Sequence, residues 1–468
     1  MTALHIVNAI LWLLAAAVLT PMLVFCAECL AALLPRWGRH SCLPQAGKNA
    51  CPTDCGWGGS YTATPGATVQ LSPQPEFAPR PRLAVLIPAH DEQAIIEPTI
   101  RALLPALAPG DRLLVVADNC SDQTAEIARR AGADVVERFD PQRRGKGYSL
   151  QYGIETLAGD PPDVVVVVDA DCLAAPGTVE MLAQAAARTQ RPIQAMNLTD
   201  RNPAVEAMQV VSTLANRFTN LVRPLGLRRL GLPCRLMGTG MALPWSLAGR
   251  IGDAGGNLVE DMQLGIDLAI DGHPPLFCPE ARVTSALPAE GQAFVSQRTR
   301  WELGHLRTAV RQVPRLLAAA VRRPSWALLG MALDLSIPPL TLLAGLWFAA
   351  AMAAGLAGWL GASWLPAAVL LVGGAVMALA VTAGWMVFCR QQVPWRAVAG
   401  IPRYMTRKIP IYARFVLHPE HTWVRTHREP AAAHHESDRV VCRPGRQDSQ
   451  PLAAAGDRVA RRSRPPSR

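Results

Sequence analysis

Five consecutive valines, Val164 to Val168, run directly into Asp169-Ala170-Asp171. Such a run reads as a strand buried on both faces, and it delivers two carboxylates, one residue apart, into whatever crevice lies at its end. Like charges held close are costly unless a proton or a cation compensates. A hard divalent ion with oxygen ligands is the natural solution, with coordination positions left over for phosphate oxygens; a turn-forming Asp pair fits the same spacing. Lys146 stands between Gly145 and Gly147, which suits a loop that approaches an anionic ligand closely. The chain's lysines are Lys48, Lys146 and Lys408 alone, so each is an unusual choice in an arginine-rich composition. Two further apolar runs end in acids, Ile87-Pro88-Ala89-His90-Asp91-Glu92 and Val116-Ala117-Asp118-Asn119. Singly, such an acid caps a following helix equally well. Four polar strand ends in succession point to one shared crevice.

The elements that must position these residues alternate in type. Strands are predicted at Leu83–Pro88, Arg112–Ala117, Asp134–Glu137, Val164–Asp169 and Pro192–Met196, with helices at Ile95–Leu107, Thr124–Ala131 and Tyr148–Leu157 between them. That alternation predicts an α/β domain with a largely parallel sheet, binding ligands at the carboxyl ends of its strands. Residues 82–296 are long enough to bury a core of their own. Glu260-Asp261 opens a helical run, Met262–Ile270, where acids favour the N-terminus. Val205, Met208, Val211, Ala215, Phe218 and Val222 share a helix face, directed at the sheet or at a membrane. Cys234-Arg235-Leu236-Met237-Gly238-Thr239-Gly240 is a turn or a loop whose glycines let backbone approach a ligand.

The ordered set Pro88-Ala89-His90-Asp91-Glu92, Asp118, Gly145-Lys146-Gly147-Tyr148 and Asp169-Ala170-Asp171 resembles the inverting family 2 glycosyltransferases. Glu260-Asp261 and Gln297-Arg298-Thr299-Arg300-Trp301 further resemble the ED and QxxRW motifs of that family's membrane-embedded branch, the cellulose, hyaluronan and poly-N-acetylglucosamine synthases. The resemblance covers about residues 82–425. It implies a GT-A nucleotide-binding fold and a nucleotide-sugar donor, UDP-linked, held by Asp91, Glu92, Asp118, Lys146 and Asp169. Asp169 and Asp171 would hold Mg²⁺ or Mn²⁺, with the diphosphate on it. Asp261 would be the general base. Gln297, Arg300 and Trp301 would bind diphosphate and the acceptor sugar, although Trp301 also suits an interfacial anchor. One base and a metal-held leaving group imply a single displacement with inversion, giving a β-linkage. The acceptor would be a growing polysaccharide or a lipid-linked sugar; a non-processive glycolipid-forming transferase and a silent scaffold are the alternatives.

The 468 residues carry a net charge of +10, with a pI of 9.3, 50% hydrophobic and 18% charged residues and a mean hydropathy of +0.15. These values exclude a disordered or collagen-like chain. The apolar excess is local: residues 326–389 hold Asp334 as their one ionisable group other than cysteine, and residues 4–34 hold His5 and Glu28. The expected layout is therefore an N-terminal membrane anchor at 1–34, a linker at 35–81 and a cytosolic GT-A domain at 82–296. Interfacial helices follow at 297–325, two spans at 326–389, a basic interfacial segment at 390–429 and a disordered tail at 430–468. Asp334, beside Pro338-Pro339, suits a broken helix and is a poor basis for a channel or transporter. Basic residues cluster at 298–323 and 390–428, beside the apolar segments rather than on the folded domain, which places the domain on the cytosolic face of an inner membrane and argues against nucleic acid as a partner. Membrane lipids are expected partners, and polymer translocation through three spans would require a partner subunit or a homo-oligomer. The eleven cysteines show no paired framework and read as free thiols, with Cys42, Cys51 and Cys55 the one spacing that could suggest a metal.

Overall fold

A computed structural model describes residues 2–34, 80–200, 207–254, 260–286 and 292–395. Cys42, Cys51 and Cys55, almost all of the expected linker, the segment Pro402–Val424 and the expected tail lie outside the described residues. Eight strands form one sheet: β1 Leu83–Ala89, β2 Arg112–Asp118, β3 Asp134–Arg138, β4 Val164–Val167, β5 Cys172–Ala174, β6 Ile193–Asp200, β7 Met241–Pro244 and β8 Leu276–Ala286. Their spatial order is β3-β2-β1-β4-β7-β6-β8-β5. The first four are mutually parallel, as expected. Beyond β4 the sheet turns antiparallel through β7, and only β6 and β8 restore a parallel pair. The largely parallel sheet of the sequence reading is therefore a mixed one, because the short strands β7 and β5 run against the other six.

The helices are α1 Thr2–Leu33, α2 Ile96–Leu103, α3 Thr124–Arg130, α4 Lys146–Leu157, α5 Thr178–Thr189, α6 Ala207–Arg217, α7 Arg223–Arg229, α8 Trp245–Ala248, α9 Glu260–Ile270, α10 Gln292–Arg322, α11 Trp326–Ser336, α12 Leu340–Trp359 and α13 Leu365–Phe388. All belong to one unit, Met1–Pro430. The valine strand explains how the sheet is covered. Val164, Val166 and Val168 point into one core with Ile96 and Ile100 of α2 and Leu182 of α5. Val165 and Val167 point the other way, into a second core with Leu150 and Ile154 of α4 and Leu264 of α9. Alternate residues of a strand face opposite sides, so a strand apolar at every position needs helices on both.

α9 is shared. Leu264 and Leu268 face the sheet, while Ile266 and Ala269 pack with Leu316, Met331 and Leu335 of α10 and α11. The helix whose first residues are Glu260-Asp261 is thereby wedged between the sheet and the C-terminal helices. Three helices are long and apolar enough to cross a membrane: Leu4–Leu33, Leu340–Trp359 and Leu365–Phe388. The expected pair at 326–389 is thus α12 and α13, preceded by the separate α11, which ends before Pro338-Pro339. Proline lacks the N–H that a continuing helix needs. Phe218 and Val222 pack with Met22 and Phe25 of α1 and Met377 of α13, so this part of the helix face meets the apolar helices. The described cysteines are all free thiols.

A buried ionic ring joins these layers. Arg223 on α7 gives its Nε to Glu28 on α1 at 2.7 Å and its Nη2 to Asp334 on α11 at 2.6 Å. Arg235 meets the other oxygen of Asp334 at 2.9 Å, and all four side chains are less than a tenth exposed. Arg223, Gly226 and Arg229 share one face of α7, spaced by threes. Arg229 donates to the C-terminal carbonyls Ala31 and Ala32 of α1, where a cation complements the helix dipole. Gly226 lets the two backbones touch: a Cβ there would lie 2.0 Å from the Glu28 carbonyl oxygen. Gly226→Ala should therefore part α1 from α7 and cost about 1–3 kcal/mol, the usual penalty of overpacking. Gly355→Ala, inside α12 with open space around it, should leave stability unchanged. Unfolding midpoints of the two detergent-purified variants against wild type check this; an unchanged midpoint for Gly226→Ala would refute the close contact.

Candidate active site

The carboxyl ends of β1, β2 and β4 open on one cleft of about 430 Å³, lined by Asp91, Asp118, Lys146, Asp169 and Asp171 together with Glu92. The sequence-predicted acids of three separate strands are thus brought together. Asp91 leaves β1 in a left-handed conformation, φ 51°, and accepts the backbone N–H of Ser121 at 2.6 Å. Asn119, one residue past β2, has the same φ of 51°. Asp and Asn tolerate this region better than other residues, and such backbone strain gathers at functional sites. Glu92 is held through its backbone N–H, which donates to Thr124 Oγ1 at 2.8 Å.

Asp118 is paired. Arg138, at the end of β3, donates to its Oδ1 at 2.6 Å, and Asn119 Nδ2 donates to the same oxygen at 2.9 Å. Asp118 also lines the cleft. Burial raises the Asp118 carboxyl above its usual range, with the Arg138 guanidinium pulling against that rise. Arg138 also lies over the Tyr148 ring at 5.8 Å, so one side chain braces both β2 and the start of α4. The sequence reading did not single it out. Its signal was present: an arginine at the end of a predicted strand.

β4 stops two residues sooner than expected, at Val167, which frees Asp169 to turn away from the sheet. Its backbone N–H donates to Thr239 Oγ1 at 3.0 Å. Lys146 Nζ bridges the Asp169 carboxylate and the Gly238 carbonyl, the latter at 2.7 Å. Burial works against the ammonium, but Asp169, Glu260 and Asp261 outweigh it and hold Lys146 protonated well above the usual lysine range. Gly238 has φ +82°, and a Cβ there would meet Asp261 Oδ2 at 3.1 Å and Lys146 Nζ at 3.4 Å. Glycine is the residue for such a conformation and such a squeeze. Asp261, in the first turn of α9, therefore lies close to Lys146, beside Gly238. Burial first, then the charge of Glu260, pushes its carboxyl up to about 7.

Gln194 on β6, fully buried, fastens the same loop: its Oε1 accepts from Met237 N at 2.8 Å and its Nε2 donates to Thr239 O at 2.9 Å. It too was missed, since a glutamine within a short apolar run carries no periodic signal. Asp169, Asp171 and Cys172 bring ligand-type atoms within 4.8 Å of one another. Burial, then Asp171, pushes the Cys172 thiol far above its usual range, so it stays a neutral thiol and the two carboxylates remain as the hard-ion donors. Trp301 lies on α10, 39% exposed, and is not part of the cleft wall. Gln297 and Arg300 lie on the same helix, with side chains outside the described ones.

Residues 79–304 match the family described as Glycosyltransferase like family 2. The chain is 29% identical over 248 residues to the Bacillus subtilis (strain 168) protein named "Probable glycosyltransferase YdaM", covering 48% of this chain and 55% of that protein. It is 24% identical over 252 residues to the Arabidopsis thaliana protein named "Probable glucomannan 4-beta-mannosyltransferase 15", covering 48% of this chain and 44% of that one. The chain thus spans about half the length of the curated relatives it matches. Among solved structures, the mannosyltransferase PcManGT from Pyrobaculum calidifontis, in complex with GDP-Man and Mn²⁺, superposes with a TM-score of 0.50 at 19% identity, over 88% of this chain and all of that one. That likeness is one of fold. Residues 79–304 therefore match a glycosyltransferase family 2-like domain, and the chain has a GT-A-like α/β fold.

Proposed function

We propose that the chain transfers a sugar from a nucleotide donor, UDP-linked, to an acceptor hydroxyl at a bilayer face, with inversion at the sugar carbon. One observation carries the reading: a lysine held between a strand-end carboxylate and a loop carbonyl lines the polar cleft and lies close to a second acid, Asp261. The cleft side suits the donor. Asp91 and Asp118 take the base and ribose, with Arg138 holding Asp118 in place, and Glu92 closes the same wall. Asp169 and Asp171 are the residues that would hold Mg²⁺ or Mn²⁺, as their hard oxygen donors fit. When bound, the ion would neutralise charge building on the departing diphosphate.

Lys146 stands beside that diphosphate as a fixed cation, and its carbonyl and carboxylate partners keep it from swinging into solvent. Asp261 takes the proton of the acceptor hydroxyl as its oxygen attacks the sugar carbon and the bond to the diphosphate breaks. Arg300 and Gln297 are proposed for the diphosphate and Trp301 for a sugar ring of the acceptor. No carboxylate is required as a nucleophile, so a single displacement results and an α-linked donor yields a β-linkage. The three apolar helices, together with the basic clusters beside them, support a domain held on the cytosolic face of an inner membrane. The acceptor is then a lipid-linked sugar or a growing glycan. Product length separates repeated from single addition.

Release of nucleoside diphosphate by the purified protein, offered UDP- and GDP-sugars with Mg²⁺ or Mn²⁺, tests the reading. One donor should turn over, and chelation should stop it; no turnover with any donor in the presence of membrane lipid would sink it. Asp261→Asn should lower kcat by about 10²–10⁴, the usual worth of a general base, while donor binding persists. Asp171→Asn should raise the metal concentration needed for half-maximal rate, and an unaltered metal requirement would remove Asp171 from that role. The Asp261 carboxyl is raised to about 7, so below that pH it is protonated and cannot accept a proton. The kcat/KM profile of the full-length protein should accordingly climb with pH through about 7 and lose that limb in Asp261→Asn.

A further inference from the structure

The loop beside Lys146 and Asp261 is not held only by the residues around it. Two residues before Met237 stands Arg235, 8% exposed and turned away from the cleft. Its Nε meets Asp334 Oδ2 at 2.9 Å, and its Nη1 donates to His305 Nδ1 at 3.2 Å. His305 in turn donates from Nε2 to the carbonyl of Ile337 at 2.9 Å. Burial and the neighbouring Arg235 push the imidazole down to about 3, so it is neutral and its acceptor nitrogen is the one that faces the arginine. Asp334 is shared with Arg223, which continues to Glu28. Two carboxylates and two guanidiniums thus balance in a water-poor interior, where each is costly alone.

Resting on the transferase reading above, we propose that Arg235 is a positioning residue: anchored to Asp334 and His305, it fixes the loop Arg235–Gly240 so that the Gly238 carbonyl holds Lys146 beside Asp261. The geometry is short and direct. Arg235 clamps one end of a six-residue stretch, and Gln194 clamps its middle through Met237 and Thr239. Between the clamps the backbone has little freedom left: the Gly238 carbonyl accepts from Lys146 Nζ at 2.7 Å, and a Cβ on Gly238 would meet Asp261 Oδ2 at 3.1 Å. The anchor belongs to α10 and α11, and through Arg223 to the apolar helix α1. The catalytic arrangement is therefore set from the apolar-helix side of the molecule. A sheet domain lacking those helices would retain the donor cleft but not the placement of its base.

Removing Arg235 alone strands Asp334 with one partner, and that variant risks misfolding. Arg235→Met combined with Asp334→Asn removes one charge of each sign and leaves Glu28 matched to Arg223. The double variant should unfold close to wild type and keep its donor KM, while kcat falls about 10- to 100-fold, the scale of an ångström-sized misplacement. Hydrogen exchange of the full-length protein supplies a readout independent of turnover. Amides of residues 236–240 should exchange faster in the double variant, while those of β4 stay protected. A folded double variant with wild-type kcat and unchanged protection at 236–240 would overturn the proposal. Absence of turnover in wild type would instead strike the transferase reading, and the exchange comparison would still decide the anchor.

Discussion

Four charges that cannot reach water impose the strongest constraint on this molecule. Glu28, Arg223, Asp334 and Arg235 come from α1, α7, α11 and the loop before β7. None of them is tolerable alone in such a place, and leaving one unpaired costs about 3–5 kcal/mol. Balance is reached only when all four elements are present together. The apolar helices and the sheet domain are therefore not two bodies joined by linkers. They share a polar knot at their boundary, and the arms of that knot lead in one direction to the first apolar helix and in the other to the glycine loop beside Lys146.

The knot also organises the apolar packing. α9 buries residues on two opposite faces, one toward the sheet and one toward α10 and α11. Its N-terminus, with Asp261, projects past Gly238, and Asp334 with Arg235 holds the loop on which Gly238 sits. The shifts at Asp261 and Lys146 have opposing causes: burial and Glu260 raise the carboxyl against the pull of Lys146, while Asp169, Glu260 and Asp261 keep the lysine protonated against burial. Chemistry at this position thus depends on packing a few ångströms away rather than on residue identity alone.

Much of the cleft was legible in the chain. The valine run announced a doubly buried strand, and the polar residues after β1, β2 and β4 announced where the strands end. Other features were hidden for physical reasons. β5 and β7 are only three and four residues long, too short to show alternation. The partner of β4 lies in β7, across helices and loops, so the antiparallel half of the sheet leaves no local trace. Glu28 and Asp334 were visible as isolated charges in apolar stretches, but nothing in their neighbourhoods named Arg223 or Arg235. His305 sits among arginines in a helix that reads as a surface one, though it is 9% exposed.

That distance in the chain has a consequence in time. Glu28 and Arg223 stand 195 residues apart. At a synthesis rate of about 5–20 residues per second, the carboxylate is made roughly 10–40 s before its guanidinium partner exists. During that interval the first helix carries a polar group that its own surroundings cannot satisfy. An early-made helix is thus among the last to be completed, and the nascent chain passes through a stage in which α1 must be kept from settling elsewhere. The Glu28–Arg223 pair can therefore close only once the chain through α7 has been made.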